Sequence, residues 1–189
     1  MITIGIDEVG RGCWAGPLVA GAVVLPDRIK PDGAVQLRDS KKLSKVQREV
    51  AAQWIHTHAL AVGLGWVGPA EVDTLGLTEA VRLAMHRAVG AVDIAYDEIV
   101  VDGNINYFAD NAKARSLVKA DDLVPSVSAA SIVAKVARDN YMTELALQYP
   151  GYGLERHVGY GTALHIAALK ELGVSDIHRL SYKPIQTYL

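Results

Sequence analysis

Carboxylates gather at three places in the chain: Asp7 and Glu8 in the stretch IGIDEVGRG, Asp102 in VVDGN, and Asp121 with Asp122 in KADD. No histidine or thiol accompanies them at metal-ligand spacing, so a site built from them uses oxygen alone. Oxygen-only sites favour hard divalent cations, magnesium or manganese, held by a few carboxylates and completed by water and substrate phosphates. Two such ions about 4 Å apart stabilise the attacking and leaving oxygens of a phosphodiester displacement. The acids permit this chemistry without requiring it, and ordinary charged strand ends are the alternative.

Asp7 and Glu8 are adjacent, and a regular strand sends adjacent side chains to opposite faces of its sheet. The two converge only if the strand breaks there, a break that Gly10 and Gly12 allow. The Gly10-Arg11-Gly12 loop exposes backbone N–H and C=O groups beside a guanidinium, a combination able to grip a phosphate or a sugar hydroxyl. A tight turn is the simpler account of two glycines so spaced. Basic residues cluster at Arg38, Lys41, Lys42, Lys45 and Arg48, and again at Lys113, Arg115 and Lys119. On a shared face these could hold a phosphate backbone; solvated faces are the other reading.

These residues must be positioned by regular elements. Ile2, Ile4 and Ile6 alternate with Thr3, Gly5 and Asp7, which predicts a first strand ending at the acids. The run PLVAGAVVL at 17–25 is apolar without alternation, as in a strand covered on both faces, and it could pair antiparallel with the first. A helix from Ser44, its N-cap, to Ala59 leads to a third strand at Ala61 to Val67. Leu77 to Val92 reads as a helix starting at Thr78, and Glu98 to Val101 as a short strand ending at Asp102.

A long helix is predicted from Ser126 or Ser128 to about Tyr149. Ala129, Ile132, Val133, Val136 and Ala137 form its stripe, Lys135 and Arg138 turn away, and Met142 and Leu145 meet another element. Pro150-Gly-Tyr-Gly153 closes it, and Thr162 to Leu172 forms one more helix, ended by Gly173. The order predicts a mixed α/β sheet with a helical C-terminal portion.

At 189 residues, half of them hydrophobic and 21% charged, the expectation is one folded domain over 1–189, with about 150–189 as a C-terminal helical region. The net charge of −2 carries no whole-molecule sign of a nucleic-acid partner. Cys13 is alone, so no intramolecular disulfide and no cysteine zinc cluster is possible. With no apolar run near the ~20 residues that cross a bilayer, the expected location is the cytoplasm and no membrane partner is expected.

Taken in series, IGIDEVGRGCWAGPLVAGAVVL, DSKKLS, IVVDGN, KADDLVPSVSAASIVAKVARD and YPGYGLERHVGYGT resemble bacterial ribonuclease HII from Ile4 to about Lys183. GRG rather than GKG, and no preceding N-terminal domain, make ribonuclease HIII the weaker match. The resemblance implies a ribonuclease H-like fold: a mixed central sheet flanked by helices. It also implies a metal-dependent endoribonuclease that cuts the RNA strand of RNA–DNA hybrids. That activity includes cleavage 5′ to a single ribonucleotide embedded in duplex DNA, leaving 3′-hydroxyl and 5′-phosphate ends.

The family's four catalytic, metal-holding carboxylates carry over to Asp7, Glu8, Asp102 and Asp121, with Asp122 a bystander and Mg2+ or Mn2+ the cofactor. Its junction-reading elements carry over to Gly10, Arg11, Gly12 and Tyr160. The 2′-hydroxyl, donor and acceptor at once, suits a backbone reader. Tyr160 could stack on the neighbouring deoxyribose, and a packing aromatic is the alternative. Lys41 and Lys42 are expected to contact backbone phosphate. Ser40, Ser128 and Ser131 are given no catalytic part, Ser128 and Ser131 being capping or helix-packing residues. His157, His165 and His178 are expected in exposed or hydrogen-bonded structural roles.

Two departures stand out. Cys13-Trp14 replaces a Pro-Leu-like pair after GRG, and Val158 stands where a lysine often precedes the Gly-Tyr; they bear on loop rigidity and local charge rather than on the acids. Another nuclease or strand transferase on the same sheet, or a hybrid-binding module lacking catalysis, are the rival readings. The chain is expected to be a monomer. Gln186 to Leu189 could be a tail for a partner such as a sliding clamp, or simply a frayed end.

Overall fold

The computed structural model describes residues 1–189 apart from 28, 30, 32 and 34. Five strands, β1 (Thr3–Val9), β2 (Leu18–Val24), β3 (Ala61–Val67), β4 (Glu98–Asp102) and β5 (Ala114–Leu117), form one sheet in the order β3-β2-β1-β4-β5. β1 pairs antiparallel with β2 and parallel with β4, so the sheet is mixed. Every residue of β2 is buried, as its unbroken apolar run predicts.

β1 does not break at its acids. It runs through both to Val9, with Asp7 opposite Gly21 and Glu8 opposite Ala20, so the expected break is corrected to a continuous ladder. Ile4, Ile6 and Glu8 therefore share one face, and Gly5, Asp7 and Val9 the other. The strand carries on past Ile6, where the polar–apolar alternation stops, because β2 continues to supply hydrogen-bond partners.

Helix α1 (Lys45–His58) starts at the predicted cap: Ser44 Oγ accepts from Gln47 N, and Gln47 Oε1 accepts from Ser44 N at 2.8 Å, a capping box. Two helices that carried no clear period follow or precede the expected ones: α2 (Pro69–Leu75) before α3 (Leu77–Gly90), and the one-turn α4 (Ala120–Leu123) before α5 (Pro125–Gln148). β5 is likewise unpredicted, because its four residues, ARSL, are too short and too polar to alternate visibly. α3 covers one face of the sheet and α5, with α1 outside it, covers the other.

Close approach decides how tightly these layers meet. A Cβ on Gly5 of β1 would collide with the backbone of Ser126 and Val127 in α5, and one on Gly65 of β3 with the Ala84 carbonyl in α3. The α5 stripe is as predicted for Ala129, Ile132 and Val133, which are buried with Ala51 and Ile55 of α1.

Arg138 corrects the expectation for the opposite face of α5. It turns away from the stripe, yet it is fully buried and donates to the carbonyls of Pro17 (2.8 Å), Val158 (2.8 Å) and Ala15 (3.1 Å). A guanidinium has five donors in a fixed fork, so a ring of orphan loop carbonyls can satisfy it in the interior. Met142 and Leu145 meet α6 (Leu154–His157), α7 (Ala163–Leu172) and α8 (Lys183–Gln186) in a second apolar cluster. Ile185 and Tyr188 pack into that cluster, whereas Leu189 is exposed. No helix among the described residues is long and apolar enough to cross a membrane.

Candidate active site

β1 and β4 run parallel, with Ile6 beside Val101, so the next residues, Asp7 and Asp102, stand side by side at the carboxyl end of this parallel pair. Asp121 arrives from α4, which follows Lys119 in the left-handed region (φ 59°). Two bonds fasten that turn: Ala120 N donates to Asp102 Oδ1 at 2.8 Å, and Ser128 Oγ donates to the Asp121 carbonyl at 2.7 Å. Asp7, Asp102 and Asp121 thereby each place a carboxylate oxygen within 4.8 Å of the others. Glu8, on the other face of β1, lies outside this tight trio, and its Oε1 accepts from Arg11 Nη1 at 3.2 Å.

The electrostatics are those of a site short of positive charge. Burial, then the charges of Glu8 and Asp102, push the Asp7 carboxyl up to about 8. Burial also raises Glu8, against the pull of Arg11, and raises Asp121 together with the charge of Asp102. Like charges gathered in a poorly solvated spot ionise reluctantly, and a divalent cation reverses that balance. The donor set, hard oxygens from three converging aspartates with Glu8 adjoining, fits magnesium or manganese better than softer metals.

Asp7 also borders a cavity of about 380 Å3 whose rim includes Gly10, Arg11, Gly12, Lys41, Lys135 and Tyr160. Gly10 turns the chain out of β1 with φ 94°, a conformation that needs glycine, and the Gly12 Cα side faces the Tyr160 ring. Tyr160 is 39% exposed. Burial and the neighbouring Cys13 thiol push its phenol up to about 12, so it stays a neutral aromatic at working pH.

Cys13 and Trp14, the departures noted above, tie the loop down. Cys13 is buried, Trp14 N donates to the Gly159 carbonyl at 2.7 Å, and the indole packs on Gly161. Val158 takes a left-handed φ of 46° on the turn into Gly159.

Lys41 borders the cavity, but Lys42 does not: its Nζ donates to both Asp122 oxygens at 2.6 Å. Asp122 stays outside the aspartate trio and is occupied by this pair. Two members of the second basic group are engaged at the sheet edge, Arg115 by Glu98 and Lys113 by the Tyr96 carbonyl. Sequence reasoning missed Ser131 and Lys135, which line the cavity beside Asp7; the Ser131 hydroxyl donates to buried Ser40 Oγ at 2.9 Å, and Lys135 pairs with Asp139. Their i, i+4 spacing on the α5 face opposite β1 was the available signal.

The three histidines form a buried chain. His157 stacks on His165 at 4.4 Å, His165 Nε2 meets His178 Nε2 at 3.1 Å, and His165 Nδ1 meets the Tyr160 carbonyl at 3.0 Å. Burial, chiefly, pushes His165 down to about 4 and also lowers His178. With the folded value below the unfolded ~6.5, the unfolded chain binds more protons between those limits, so this contribution is complete above pH 6.5 and lost on acidification. In saturating magnesium, wild type is expected to lose roughly 2 kcal/mol more than His165→Asn between pH 7.5 and 5, or roughly 4–8 °C in thermal midpoint. Parallel midpoints for the two proteins across that range would remove His165 as the cause.

A mixed sheet whose parallel pair delivers two aspartates, joined by a third from a turn, is the framework of a ribonuclease H-type endonuclease. Residues 4–185 match the family model described as Ribonuclease HII. A Ribonuclease HII from Jannaschia sp. is 46% identical over 188 residues, covering 100% of this chain and 92% of that protein. Among solved structures, the ribonuclease H2 from Pyrococcus horikoshii OT3 superposes with a TM-score of 0.85 at 27% identity, covering 100% of this chain and 97% of that one. The RNase HII of a PCNA:RNase HII complex from Archaeoglobus fulgidus does so with a TM-score of 0.80 at 27% identity, covering 97% and 96%. The chain belongs to the ribonuclease HII family, whose members are divalent-metal-dependent endonucleases acting on RNA–DNA hybrids.

Proposed function

We propose that this endonuclease cuts 5′ to single ribonucleotides embedded in duplex DNA, as well as within longer RNA–DNA hybrids, and leaves 3′-hydroxyl and 5′-phosphate ends. The observation that carries this reading is the placing of the Asp7, Asp102 and Asp121 trio beside a cavity rimmed by Gly10 to Gly12 and Tyr160. Asp7, Asp102 and Asp121, with Glu8 adjoining, hold magnesium or manganese. The bound cation supplies charge stabilisation for the displaced and attacking oxygens.

The chain's own groups do the rest. Lys41 and Lys135 draw the phosphate backbone to the cavity, the Gly10–Gly12 backbone contacts the ribose, and Tyr160 packs against the neighbouring sugar. Lys42 reaches phosphate only by giving up Asp122. The chain acts as one domain and a monomer in the cytoplasm, with residues 150–189 as the substrate-binding helical region that carries Tyr160. A clamp contact through the tail from Gln186 to Leu189 is supported by the Archaeoglobus fulgidus neighbour's complex with PCNA and by the exposure of Leu189.

The test is cleavage of end-labelled duplex DNA carrying one ribonucleotide, with magnesium, with manganese and with chelator, beside all-DNA and a long hybrid. A metal-dependent cut 5′ to the ribonucleotide, absent from all-DNA, is expected. Cutting of the long hybrid alone would overturn the single-ribonucleotide reading.

Tyr160→Ala is expected to lower kcat/KM about tenfold on the single-ribonucleotide duplex, an effect of ~1.4 kcal/mol, and distinctly less on a long hybrid. Equal losses on the two substrates would reduce Tyr160 to a packing role.

A further inference from the structure

The Gly10–Gly12 loop is held from beneath by one buried cation. The segment 14–16 pairs with 177–179: Arg179 N donates to the Trp14 carbonyl at 2.8 Å, and Gly16 N to the Ile177 carbonyl at 2.8 Å. This pairing places Arg179, fully buried, under the loop. Its Nη1 donates to the carbonyls of Gly10 (2.7 Å) and Arg11 (3.2 Å), while Nε and Nη2 donate to the Gly16 carbonyl at 3.2 and 3.0 Å. Tyr182 completes the arrangement: its hydroxyl accepts from Arg179 Nη1 at 2.9 Å and donates to the Arg11 carbonyl at 2.6 Å. Among the described residues Arg179 has no carboxylate partner. An interior guanidinium without a counter-ion is costly, and it persists here because its donors are met by carbonyls.

The orientation of those carbonyls has a geometric result. A trans peptide is planar, with its N–H directed opposite its C=O. Because the Gly10 and Arg11 carbonyls are both drawn inward to Arg179, the N–H groups of Arg11 and Gly12 turn outward, where the loop borders the cavity. Neither N–H has a hydrogen-bond partner among the described residues. A carbonyl bound to a cation also polarises its peptide and strengthens the N–H as a donor.

We propose that Arg179, completed by the Tyr182 hydroxyl, is the positioning residue for ribose selection: it sets two consecutive peptide planes so that the Arg11 and Gly12 N–H groups donate to the ribose 2′ oxygen. The inference rests on the reading of this loop as the ribose reader, and it assigns that selectivity to a residue far along the chain that touches no substrate. Deoxyribose offers no oxygen at that position, so the two oriented donors discriminate without a side chain.

The experiment compares wild type, Arg179→Lys, Tyr182→Phe and Met85→Ala in magnesium. The readout is the inhibition constant of an all-DNA duplex divided by the KM of the ribonucleotide-containing duplex of the same sequence. Arg179→Lys keeps the charge but not the fork, and is expected to lower this ratio about tenfold; Tyr182→Phe, which removes one hydroxyl from a half-buried ring, is expected to lower it about threefold. Both should keep the wild-type dependence of rate on magnesium concentration. Met85→Ala, which opens space on the buried face of α3 and takes no part in the hydrogen bonds that hold the loop, should lose thermal stability and keep the ratio. An unchanged ratio in Tyr182→Phe, or an equal fall in Met85→Ala, overturns the proposal, and Tyr182→Phe decides alone if Arg179→Lys does not fold. Wild type failing to distinguish the two duplexes would instead remove the ribose-reading assignment on which the proposal stands.

Discussion

Asp102→Asn is expected to cut turnover at least about a thousandfold, some 4 kcal/mol of barrier, while leaving the fold intact. Asparagine keeps the Oδ1 acceptor that receives Ala120 N, so the bond tying α4 to β4 survives. What disappears is one negative charge from the trio. That charge raises Asp7, Glu8 and Asp121 together, so its loss relieves repulsion in the metal-free protein. The metal-free thermal midpoint should therefore equal or exceed that of wild type, and the further rise on adding magnesium or manganese should shrink sharply. Turnover within tenfold of wild type, with metal stabilisation retained, would remove Asp102 from the metal site.

Gly5→Val is expected to lower stability by about 3 kcal/mol or more, the upper range for overpacking. The obstacle is backbone, since a Cβ at position 5 meets the chain of Ser126 and Val127, which no rotamer change can move aside. To accommodate it, α5 must lift from β1, and α5 carries Ser131 and Lys135 to the cavity beside Asp7. Activity should fall together with the urea midpoint. Gly90→Ala is the matched contrast, because Gly90 ends α3 exposed, with nothing near its added methyl, and alanine there should raise stability by a few tenths of a kcal/mol. A Gly5→Val protein as stable as wild type would show that the two layers are not locked at this contact.

Much of the framework is local in origin and so was legible in the chain. The apolar run of β2, the alternation of β1, the Ser44 cap and the Gly173 stop all depend on neighbours within a few residues, and each element stands close to where its pattern put it. Asp7, Glu8 and Asp102 were conspicuous as carboxylates at the ends of apolar strands, whereas the choice of Asp121 over Asp122 rested on the resemblance, because Asp121 stands in a one-turn helix after a short polar strand. β5 and α4 were not legible, since four residues are too few to show a period.

The sequence by itself therefore determined the mixed α/β class and an acid set offering oxygen donors alone, with the resemblance pointing to four of those acids. Tertiary structure alone decided that β1 continues through its acids, and that the parallel register brings Asp7 and Asp102 side by side while Glu8 stands off the trio. It also decided that Lys42 is engaged by Asp122, that Ser131 and Lys135 face the cavity, and that Arg138, which the sequence placed only off the α5 stripe, and Arg179, for which the sequence held no reading, are interior anchors of the loops. The physical reason is the same in each case. Which face a charged side chain finds depends on partners 18 to more than 160 positions away, and one-dimensional periodicity carries no record of them.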